Sequence, residues 1–453
     1  MISPWLRRHV TIPLWIAKDR SPRLRYMREL ERSQYWSVEK LEVLQLEKIV
    51  AMMEHAYRET AYYRRVMDQA GLRPADIKTI EDFRRMPILT KEEVRKFQDQ
   101  MMAESLRSGH LSEFKTGGST GKPVTVMKDP RTVELSNASA FRAFRWAGWN
   151  LGEPWGMIWG NPPESLTLKE ALLNILISPM IYLDTMNLTD ASMHAFVKKW
   201  DRLKPTIMRG HSHSIYIFAS YCKSHGVDSV RPNSIISSSM MLLPSERRVI
   251  EDAFQCKVTD LYGCEEVGLI ACECEQHAGM HVDMESVYVE IVNPDGTNAR
   301  PGDDGAIVVT SLIGKAMPMI RYRMGDMASF AQRACACGRT LTLMNSVAGR
   351  VADFLVRKDR SIVAGVSLVE RTLTRFSGIA QMQLIQESLD EIVVKIVRDA
   401  DYNKETENGL IAELKSSVGD HNVIQIEFVE KIPQEASGKY RFAVSKVRNP
   451  YDA

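Results

Sequence analysis

Long apolar runs are missing from this sequence, and so is an excess of charge of either sign. No uninterrupted apolar stretch reaches the roughly 20 residues that a membrane-spanning helix needs. The 59 Lys and Arg residues nearly balance the 57 Asp and Glu residues, which gives a formal net charge of +2. This balance offers no global argument for binding nucleic acid. We therefore expect neither a transmembrane segment nor a nucleic-acid partner.

A cleavable leader and a disulfide framework are also not evident. Pro4, Pro13 and the basic pair Arg7-Arg8 interrupt the apolar N-terminus, and no clear small-residue cleavage site follows. Seven cysteines, an odd number, in a large chain without an export signal indicate a reducing compartment, so the expected location is the cytoplasm. Residues 7–28 carry seven Lys and Arg against one Asp, which favours a solvated basic face over a membrane or partner surface.

The composition that is present, 44% hydrophobic and 26% charged, is that of a globular protein long enough for two or three domains. Residues up to about 110 read as helical. Ser37 is a plausible N-cap, since apolar residues then recur at the spacing of one buried helix face. These residues are Leu46, Ile49, Val50, Met53 and Tyr57.

From residue 115 to about 345, short apolar runs alternate with helical stretches, which indicates α/β layering. The candidate strands there are 157–159, 207–208, 235–238 and 258–261. Runs 286–292 and 306–311 are joined by Asn293-Pro294-Asp295-Gly296, a turn signal that predicts an antiparallel portion. Beyond residue 350 the pattern changes to a small α+β unit, with strand-like runs at 381–386, 392–397 and 423–429.

The most informative stretch is Lys115-Thr116-Gly117-Gly118-Ser119-Thr120-Gly121-Lys122-Pro123. Its glycines allow close backbone approach, and successive N–H groups can then form a concavity for an anion. A Walker A loop is excluded, because Thr116 stands where the first glycine belongs and Pro123 replaces the metal-binding hydroxyl. The residues that follow, 124–126, also read as a strand rather than a helix.

The order Thr-Gly-Gly-Ser-Thr-Gly-Lys-Pro resembles the phosphate loop of adenylate-forming enzymes, the acyl-CoA synthetase superfamily. Further segments resemble motifs of that superfamily and occur in the same order. They are Asp260–Glu266, Arg321–Asp326, Gly349–Asp353 and Ala436–Arg441. The nearest resemblance is to the phenylacetate–CoA ligase-like branch, which includes relatives associated with capsular polysaccharide synthesis.

The resemblance implies an ATP-dependent enzyme that converts a small carboxylic acid to an acyl-adenylate and then transfers the acyl group. Coenzyme A is the expected acceptor, with an amine or a sugar hydroxyl left open. A large α/β domain of layered sheets and helices would precede a small, mobile α+β domain. In this division 1–110 is the helical N-terminal region, 111–349 the ATP- and carboxylate-binding core, and 350–453 the small C-terminal domain. A homodimer is left open.

Individual roles also follow from the resemblance. The nucleotide-binding candidates are Thr116, Gly117, Gly118, Ser119, Thr120, Gly121, Lys122, Ser238, Tyr262, Gly263, Asp326 and Arg350. Within this set, Tyr262 would stack near the adenine, while Asp326 and Arg350 would contact the ribose. Glu266 would bind Mg²⁺, since a hard cation prefers carboxylate oxygen, and Lys439 would be the catalytic lysine.

Two residues depart from the superfamily pattern. Glu265 and Met324 each stand where the motif has threonine. If they spoil the nucleotide site, the chain is a non-catalytic member of the fold. ATP–pyrophosphate exchange that depends on a carboxylic acid separates the two readings.

Cysteine and histidine recur in two separated segments, Cys272–His281 and Cys335–Cys337. Thiolates with an imidazole are the ligands that tetrahedral Zn²⁺ prefers. Matching to phenylacetate–CoA ligase-like proteins gives a structural zinc site. Its ligands would be Cys274, His281, Cys335 and Cys337, with Cys272 or His277 as substitutes. The alternatives are reduced thiols without metal, or a zinc-dependent binding module that keeps the fold as a scaffold.

The acid itself cannot be read from the sequence. Phe141, Trp146, Trp149 and Trp159 would suit an aromatic acid. His211 and His213 lie where the superfamily lines its acyl pocket, and a satisfied surface pair is the alternative.

Overall fold

The protein is described from a computed structural model, which describes residues 2–115, 124–160, 167–345, 347–350, 353–433 and 440–450. The helices are α1 (Pro4–Leu6), α2 (Ile12–Lys18), α3 (Arg23–Ser33), α4 (Val38–Glu59), α5 (Ala61–Gln69), α6 (Ile80–Arg84), α7 (Lys91–Met101), α8 (Pro130–Trp146), α9 (Leu168–Leu176), α10 (Asp190–Leu203), α11 (Ser212–Ser224), α12 (Pro244–Phe254), α13 (Gly365–Arg375) and α14 (Lys404–Val418). A π-helical turn, Arg7–Thr11, joins α1 to α2, and short 3₁₀ turns occur at Pro74–Asp76 and Glu104–Leu106.

The strands are β1 (Ser112–Lys115), β2 (Thr125–Lys128), β3 (Trp155–Trp159), β4 (Met180–Asp184), β5 (Ile207–His211), β6 (Ser234–Ser238), β7 (Val258–Cys264), β8 (Gly268–Glu273), β9 (Met280–Val282), β10 (Val287–Val292), β11 (Gly305–Ser311), β12 (Tyr322–Ala328), β13 (Leu343–Met344), β14 (Gly349–Arg350), β15 (Phe354–Val356), β16 (Ile362–Ala364), β17 (Ile379–Gln386), β18 (Glu391–Arg398), β19 (Val423–Phe428) and β20 (Ala443–Ser445). Every strand that the sequence predicted is present, with bounds that differ by a few residues at most.

The helical N-terminal region is built as its pattern predicts. The Ser37 Oγ accepts a hydrogen bond from the backbone N–H of Lys40 and so caps α4. Ile49 and Met53 are fully buried, and the other apolar residues of the same helix face pack beside them. The Tyr63 hydroxyl of α5 donates to the Pro318 carbonyl at 2.8 Å, which ties these helices to the β-rich core.

The largest sheet has eight strands in the order β13-β9-β8-β7-β6-β5-β3-β4. Strands β7, β6, β5, β3 and β4 are parallel neighbours, and β8, β9 and β13 continue the sheet antiparallel. One face packs against α8 through a cluster that includes Phe144, Trp155 and Ile207. The other face is covered by apolar residues of α10, α11 and α12. The carboxyl ends of the parallel strands share one edge, which is where open α/β sheets bind ligands.

A second sheet, β10-β11-β12-β14, is antiparallel throughout. The predicted turn at 293–296 is present between β10 and β11, and Gly296 there has φ +83°. That left-handed conformation suits glycine because it has no Cβ to clash. A separate antiparallel pair, β1 and β2, flanks residues 116–123, and β2 confirms that a strand rather than a helix follows them.

The C-terminal α+β unit has a four-stranded sheet in the order β19-β18-β17-β20, with α13 and α14 packed on it. Its apolar cluster, centred on Leu384, Val394 and Leu414, is separate from the clusters of the preceding sheets. The predicted domain bounds at 110/111 and 349/350 stay a prediction.

No helix within the described residues is long and apolar enough to cross a membrane.

Candidate active site

Tyr262 and Asp326 meet at the edge of the large sheet. Tyr262 lies near the end of β7, and Asp326 lies in β12 of the second sheet. The Tyr262 hydroxyl donates to the Asp326 Oδ2 at 2.7 Å. Burial, followed by the negative charge of Asp326, raises the pKa of Tyr262 well above its ordinary value, so the phenol keeps its proton. Two residues that are 64 positions apart in the sequence thus form one polar site.

Glu266 lies beside this pair. It is 8% exposed, and its Oε1 accepts a hydrogen bond from the Tyr322 hydroxyl at 2.8 Å. Burial raises the pKa of Tyr322, and the adjacent carboxylate raises it further, so this phenol is a permanent donor. A carboxylate with two oxygens can accept this bond and still offer an oxygen to a cation. Sequence reasoning assigned no role to Tyr322.

Lys128 is a second residue that sequence reasoning missed. It is 8% exposed on β2, and burial lowers its pKa, while the nearby Glu265 and Glu266 act in the opposite direction. The sequence contains a signal for Lys128, because inward and outward side chains alternate along a strand. Val124 and Val126 are buried on one side, and Lys128 is the next residue on that side. A lysine at the next inward position breaks an apolar pattern and marks a cation that lies close to the acidic site.

Three further candidates lie near Tyr262. Ser238 ends β6 and is 3% exposed; among the described residues its Oγ has no hydrogen-bond partner. Gly263 follows Tyr262, where an added Cβ would stand 2.6 Å from the Gly268 carbonyl oxygen. The backbone of Arg350 pairs directly with Asp326 in the β12–β14 ladder. A buried hydroxyl without a partner and an accepting carboxylate fit a polar ligand such as a nucleotide.

The two departures from the superfamily pattern leave this arrangement intact. Glu265 is exposed, whereas its neighbour Glu266 is buried. Met324 is 5% exposed, and its sulfur accepts from the Tyr262 hydroxyl at 3.6 Å. Neither side chain displaces the bond between Tyr262 and Asp326.

The structure also brings together the four predicted zinc ligands, Cys274, His281, Cys335 and Cys337. Their ligand atoms all lie within 4.8 Å of one another. The Cys274 and Cys335 sulfurs are 3.6 Å apart, and the Cys337 sulfur is 3.3 Å from the His281 Nε2. In a tetrahedral site with Zn–S bonds of about 2.3 Å, ligand atoms are about 3.8 Å apart. The donor set and its spacing therefore fit zinc.

The surroundings of this cluster support the same fit. Backbone N–H groups of Gln276 and Arg339 donate to the sulfurs of Cys274 and Cys337, each at 3.4 Å. The His281 Nδ1 lies 3.3 Å from the Leu341 carbonyl oxygen, so an N–H there would leave the Nε2 as the ligand atom. The substitutes Cys272 and His277 lie outside this group among the described residues.

His211 at the end of β5 and His213 at the start of α11 are buried, at 4% exposure each, so the alternative of a surface pair is wrong. The His211 ring lies 4.4 Å from the Trp159 ring between centroids. His213 hydrogen-bonds through its Nδ1 to Glu246 of α12. They are buried because α11 begins directly at the end of β5 and packs against α12.

The aromatic residues proposed for an acid pocket do not form one group. Trp146 lies beside the cysteine cluster, with its ring 5.8 Å from the His281 ring, and donates to Gln34. Phe141 and Trp149 pack with each other under the large sheet. Of the four, Trp159 alone lies beside His211 in the described part of the chain. The other three rings lie in hydrophobic clusters of the core.

A cleft of about 140 Å³ separates α12 from the C-terminal sheet. His213 lines it, and the Tyr440 ring lies 4.0 Å from the His213 ring between centroids. Arg441 forms an ion pair with Asp353 at 2.8 Å. Tyr440, which directly follows Lys439 in sequence, is therefore held against the large sheet domain through its contact with His213.

Comparison with known proteins identifies the fold. Residues 355–446 match the family model of the CapK C-terminal domain. Protein CapK of Staphylococcus aureus is 23% identical over 415 residues, 89% of each chain. A phenylacetate–coenzyme A ligase of Thermus thermophilus is 25% identical over 334 residues, 70% of this chain and 72% of the relative. A crystal structure of 2-hydroxyisobutyryl-CoA ligase in the postadenylation state superposes with a TM-score of 0.75 at 18% identity, covering 92% of each chain.

The chain has the fold of the adenylate-forming ligases. The predicted resemblance and the predicted fold class are both confirmed, since relatives and solved structures alike are of the expected kind. The loop from Thr116 to Lys122 and the lysine Lys439 lie outside the described residues, so their roles stay predictions.

Asp260, at the start of the Asp260–Glu266 motif, is buried next to another acid. The Ser237 Oγ donates to its Oδ1 at 2.6 Å, and its backbone N–H donates to the Glu273 Oε2 at 2.9 Å. Burial, then the negative charge of Glu273, raises the pKa of Asp260 to about 7. The folded chain therefore binds a proton here that the unfolded chain releases near pH 4, and the free energy of unfolding falls as pH rises from about 4 to 7.

We expect Asp260→Asn to remove this pH dependence. The amide keeps the oxygen that accepts from Ser237 and carries no charge. Relative to wild type, the variant should gain about 2–3 kcal/mol of unfolding free energy at pH 8 compared with pH 5. Urea denaturation at both pH values measures the difference, with Asp252→Asn, an exposed change in α12, as the control. Parallel pH profiles of wild type and Asp260→Asn would refute the assignment.

Proposed function

We propose that this protein is an ATP-dependent acid–CoA ligase that forms an acyl-adenylate and then a thioester. The observation that carries the proposal is the site made by Tyr262, Asp326 and Glu266 at the edge of the parallel sheet. The relatives named as phenylacetate–coenzyme A ligases and the structural match to an acyl-CoA ligase support this class of reaction.

The nucleotide would bind across this edge of the sheet. Asp326, with the backbone of Arg350 beside it, would accept the ribose hydroxyls, and Tyr262 would pack against the adenine. The Ser238 hydroxyl, which is buried without a partner among the described residues, would gain one from the nucleotide. The loop from Thr116 to Lys122 would hold the β- and γ-phosphates through backbone N–H groups.

The chemistry has two displacement steps. A carboxylate oxygen of the acid attacks the α-phosphorus of ATP, the new O–P bond forms, and pyrophosphate leaves. The thiolate of coenzyme A then attacks the acyl carbon, and AMP leaves. Glu266 is the residue that would hold Mg²⁺, which supplies neutralising charge between the phosphates. Lys128, close to Glu266, would add a fixed cation to the same region.

Protein groups mainly position the reactants. Phosphoryl transfer of this kind needs little covalent help, so orientation and charge neutralisation carry the rate. Lys439 would supply its cation at the α-phosphate during the first step. The small domain, 350–453, would carry it there and withdraw it for the second step. The zinc cluster would be structural, because its four protein ligands fill a tetrahedral coordination sphere.

Product analysis tests the proposal. Purified protein is incubated with ATP, Mg²⁺, coenzyme A and a mixture of acids, and acyl-CoA and AMP are measured by mass spectrometry. The proposal requires AMP rather than ADP, in equal amounts with thioester. Omission of coenzyme A should leave acyl-adenylate bound to the protein. An acyl-adenylate that never transfers to coenzyme A would limit the proposal to the first step.

We expect Asp326→Ala to weaken the binding of ATP and AMP alike, by roughly ten- to hundredfold, the worth of hydrogen bonds to a charged acceptor. Affinity for the carboxylic acid should change little. Calorimetry with AMP measures the loss without relying on turnover. Asp303→Ala, in the exposed turn before β11, is the matched control. Unchanged AMP affinity in Asp326→Ala would remove this residue from the ribose site.

A further inference from the structure

Arg209 lies in the middle of the parallel sheet, on the face that α8 covers. In β5 it pairs with Met157 of β3, which in turn pairs with Tyr182 of β4, so the three side chains share one face. The guanidinium carbon lies 5.1 Å from the centre of the Phe144 ring and 5.2 Å from that of Trp159. The cation is thus held between two aromatic rings.

The charge of Arg209 is influenced by Glu265 without an ion pair between the two. Among the described residues Arg209 forms no ion pair, and its Nε is buried without an acceptor. Two arginines that are buried have carboxylate partners, whereas Arg209 is only partly buried. Arg142 contacts Asp283 and Glu285, and Arg321 donates to both oxygens of Glu290.

Such an arrangement lowers stability. Burial lowers the pKa of Arg209 to about 10, against the influence of Glu265 and Tyr182, so the group stays charged at neutral pH. Desolvating a charge that has no contacting carboxylate is unfavourable. Contacts with the two rings offset part of this cost. A cation kept at this net cost is typical of a site whose partner is a ligand.

The distance of Arg209 from the edge of the sheet indicates which part of a ligand it would contact. His211 ends β5 and pairs with Ser238, one of the nucleotide candidates, at the edge of the sheet. With a rise of about 3.3 Å per residue, Arg209 lies about 6–7 Å further back along the strand. The reacting carboxylate must reach the α-phosphate at the edge. Arg209 therefore faces the far end of the acyl group.

We propose that Arg209 binds a second carboxylate on the acid, so that the substrate is a dicarboxylic acid. The inference rests on the proposed function for the reacting end, while the binding contact itself is independent of turnover. The planar fork of N–H donors matches a carboxylate in a two-point hydrogen bond. A monoacid with an apolar end would leave the guanidinium desolvated and unpaired, which is how such sites reject near analogues.

The test compares matched pairs of acids that differ in the second carboxylate. The pairs are butanoate and succinate, pentanoate and glutarate, hexanoate and adipate, and phenylacetate and 1,4-phenylenediacetate. In acid-dependent ATP–pyrophosphate exchange, wild type should favour one diacid over its monoacid by a hundredfold or more in kcat/KM. Arg209→Met should lose most of that preference, mainly through a higher KM, and Arg209→Lys should retain part of it.

Two further measurements distinguish this inference from failure of the proposed function and from a purely structural role of Arg209. Calorimetry with the same acids measures binding without turnover. A diacid that binds wild type but not Arg209→Met supports the contact. If no exchange occurs in that case, only the proposed function fails. Thermal unfolding reports structure: Arg209→Met should be at least as stable as wild type, because an apolar residue replaces an uncompensated charge. Arg202→Met, exposed in α10, is the control. Preference for monoacids, or equal diacid binding by wild type and Arg209→Met, would overturn the inference.

Discussion

Replacing Lys439 with alanine is expected to slow acyl-adenylate formation by roughly a hundredfold or more. Removing a main electrostatic donor has an effect of this size in other active sites. The cation would offset negative charge that develops at the α-phosphate in the first step only. Thioester formation from supplied acyl-adenylate should therefore fall much less. Single-turnover assays of each half-reaction measure the two effects.

The residues next to Lys439 show how this lysine would be placed near the nucleotide site. Tyr440, covalently next to Lys439, packs on His213, and Arg441 pairs with Asp353. The contact between Tyr440 and His213 holds the C-terminal unit against the large sheet domain, whose edge carries the nucleotide candidates, while the ion pair of Arg441 with Asp353 lies within the C-terminal unit. Lys431→Ala, an exposed lysine of the same unit, is the control. Equal loss in both half-reactions, or no loss in the first, would contradict both the role of Lys439 and the moving domain.

Removing one cysteine of the metal cluster is expected to lower stability and leave the chemistry largely intact. Cys335→Ser should lose its zinc and about 3–4 kcal/mol of unfolding free energy, the linkage expected for a ligand held about a thousandfold above its dissociation constant. Cys274 and His281 precede the second sheet while Cys335 and Cys337 follow its strand β12, so zinc would cross-link distant segments.

Elemental analysis of protein purified without added metal should then find about one zinc per chain, as a single tetrahedral site requires. Cys256→Ser, whose thiol is not part of the cluster, should keep the metal. Negligible zinc in wild type, together with Cys335→Ser as stable as wild type, would end the zinc proposal.

Much of the fold could be predicted from the sequence because its strands are short, apolar and bounded by turn residues. The predicted strands at 235–238 and 258–261 became neighbours in the parallel sheet, and the turn at 293–296 formed as expected. The order of the strands could not be predicted in this way, since pairing depends on contacts between distant segments. Resemblance supplied that information.

The candidate site was predictable only where a motif marked it. Tyr262, Glu266 and Asp326 lie together as their motifs imply. Lys128 and Arg209 escaped notice because no motif includes them. Their signal is a charged residue at an inward position of an apolar strand, which becomes meaningful only when the structure shows what surrounds it.

The aromatic residues show the opposite error. Trp146 and Trp149 have the composition of a pocket for an aromatic acid, yet Trp146 packs near the cysteine cluster and Trp149 in the core. Aromatic side chains bury large areas in cores as readily as in ligand sites. Composition alone therefore could not decide between the two.

The measurement that tests the central claim most directly is exchange of labelled pyrophosphate into ATP across a panel of carboxylic acids. Exchange requires reversible formation of an acyl-adenylate and needs no acceptor, so it isolates the first step from the identity of the second. The account predicts exchange that depends on both Mg²⁺ and an acid, is greatest with a diacid, and falls steeply in Lys439→Ala. No acid-dependent exchange with any member of the panel, from folded protein that binds AMP, would contradict the account and leave a non-catalytic member of the fold.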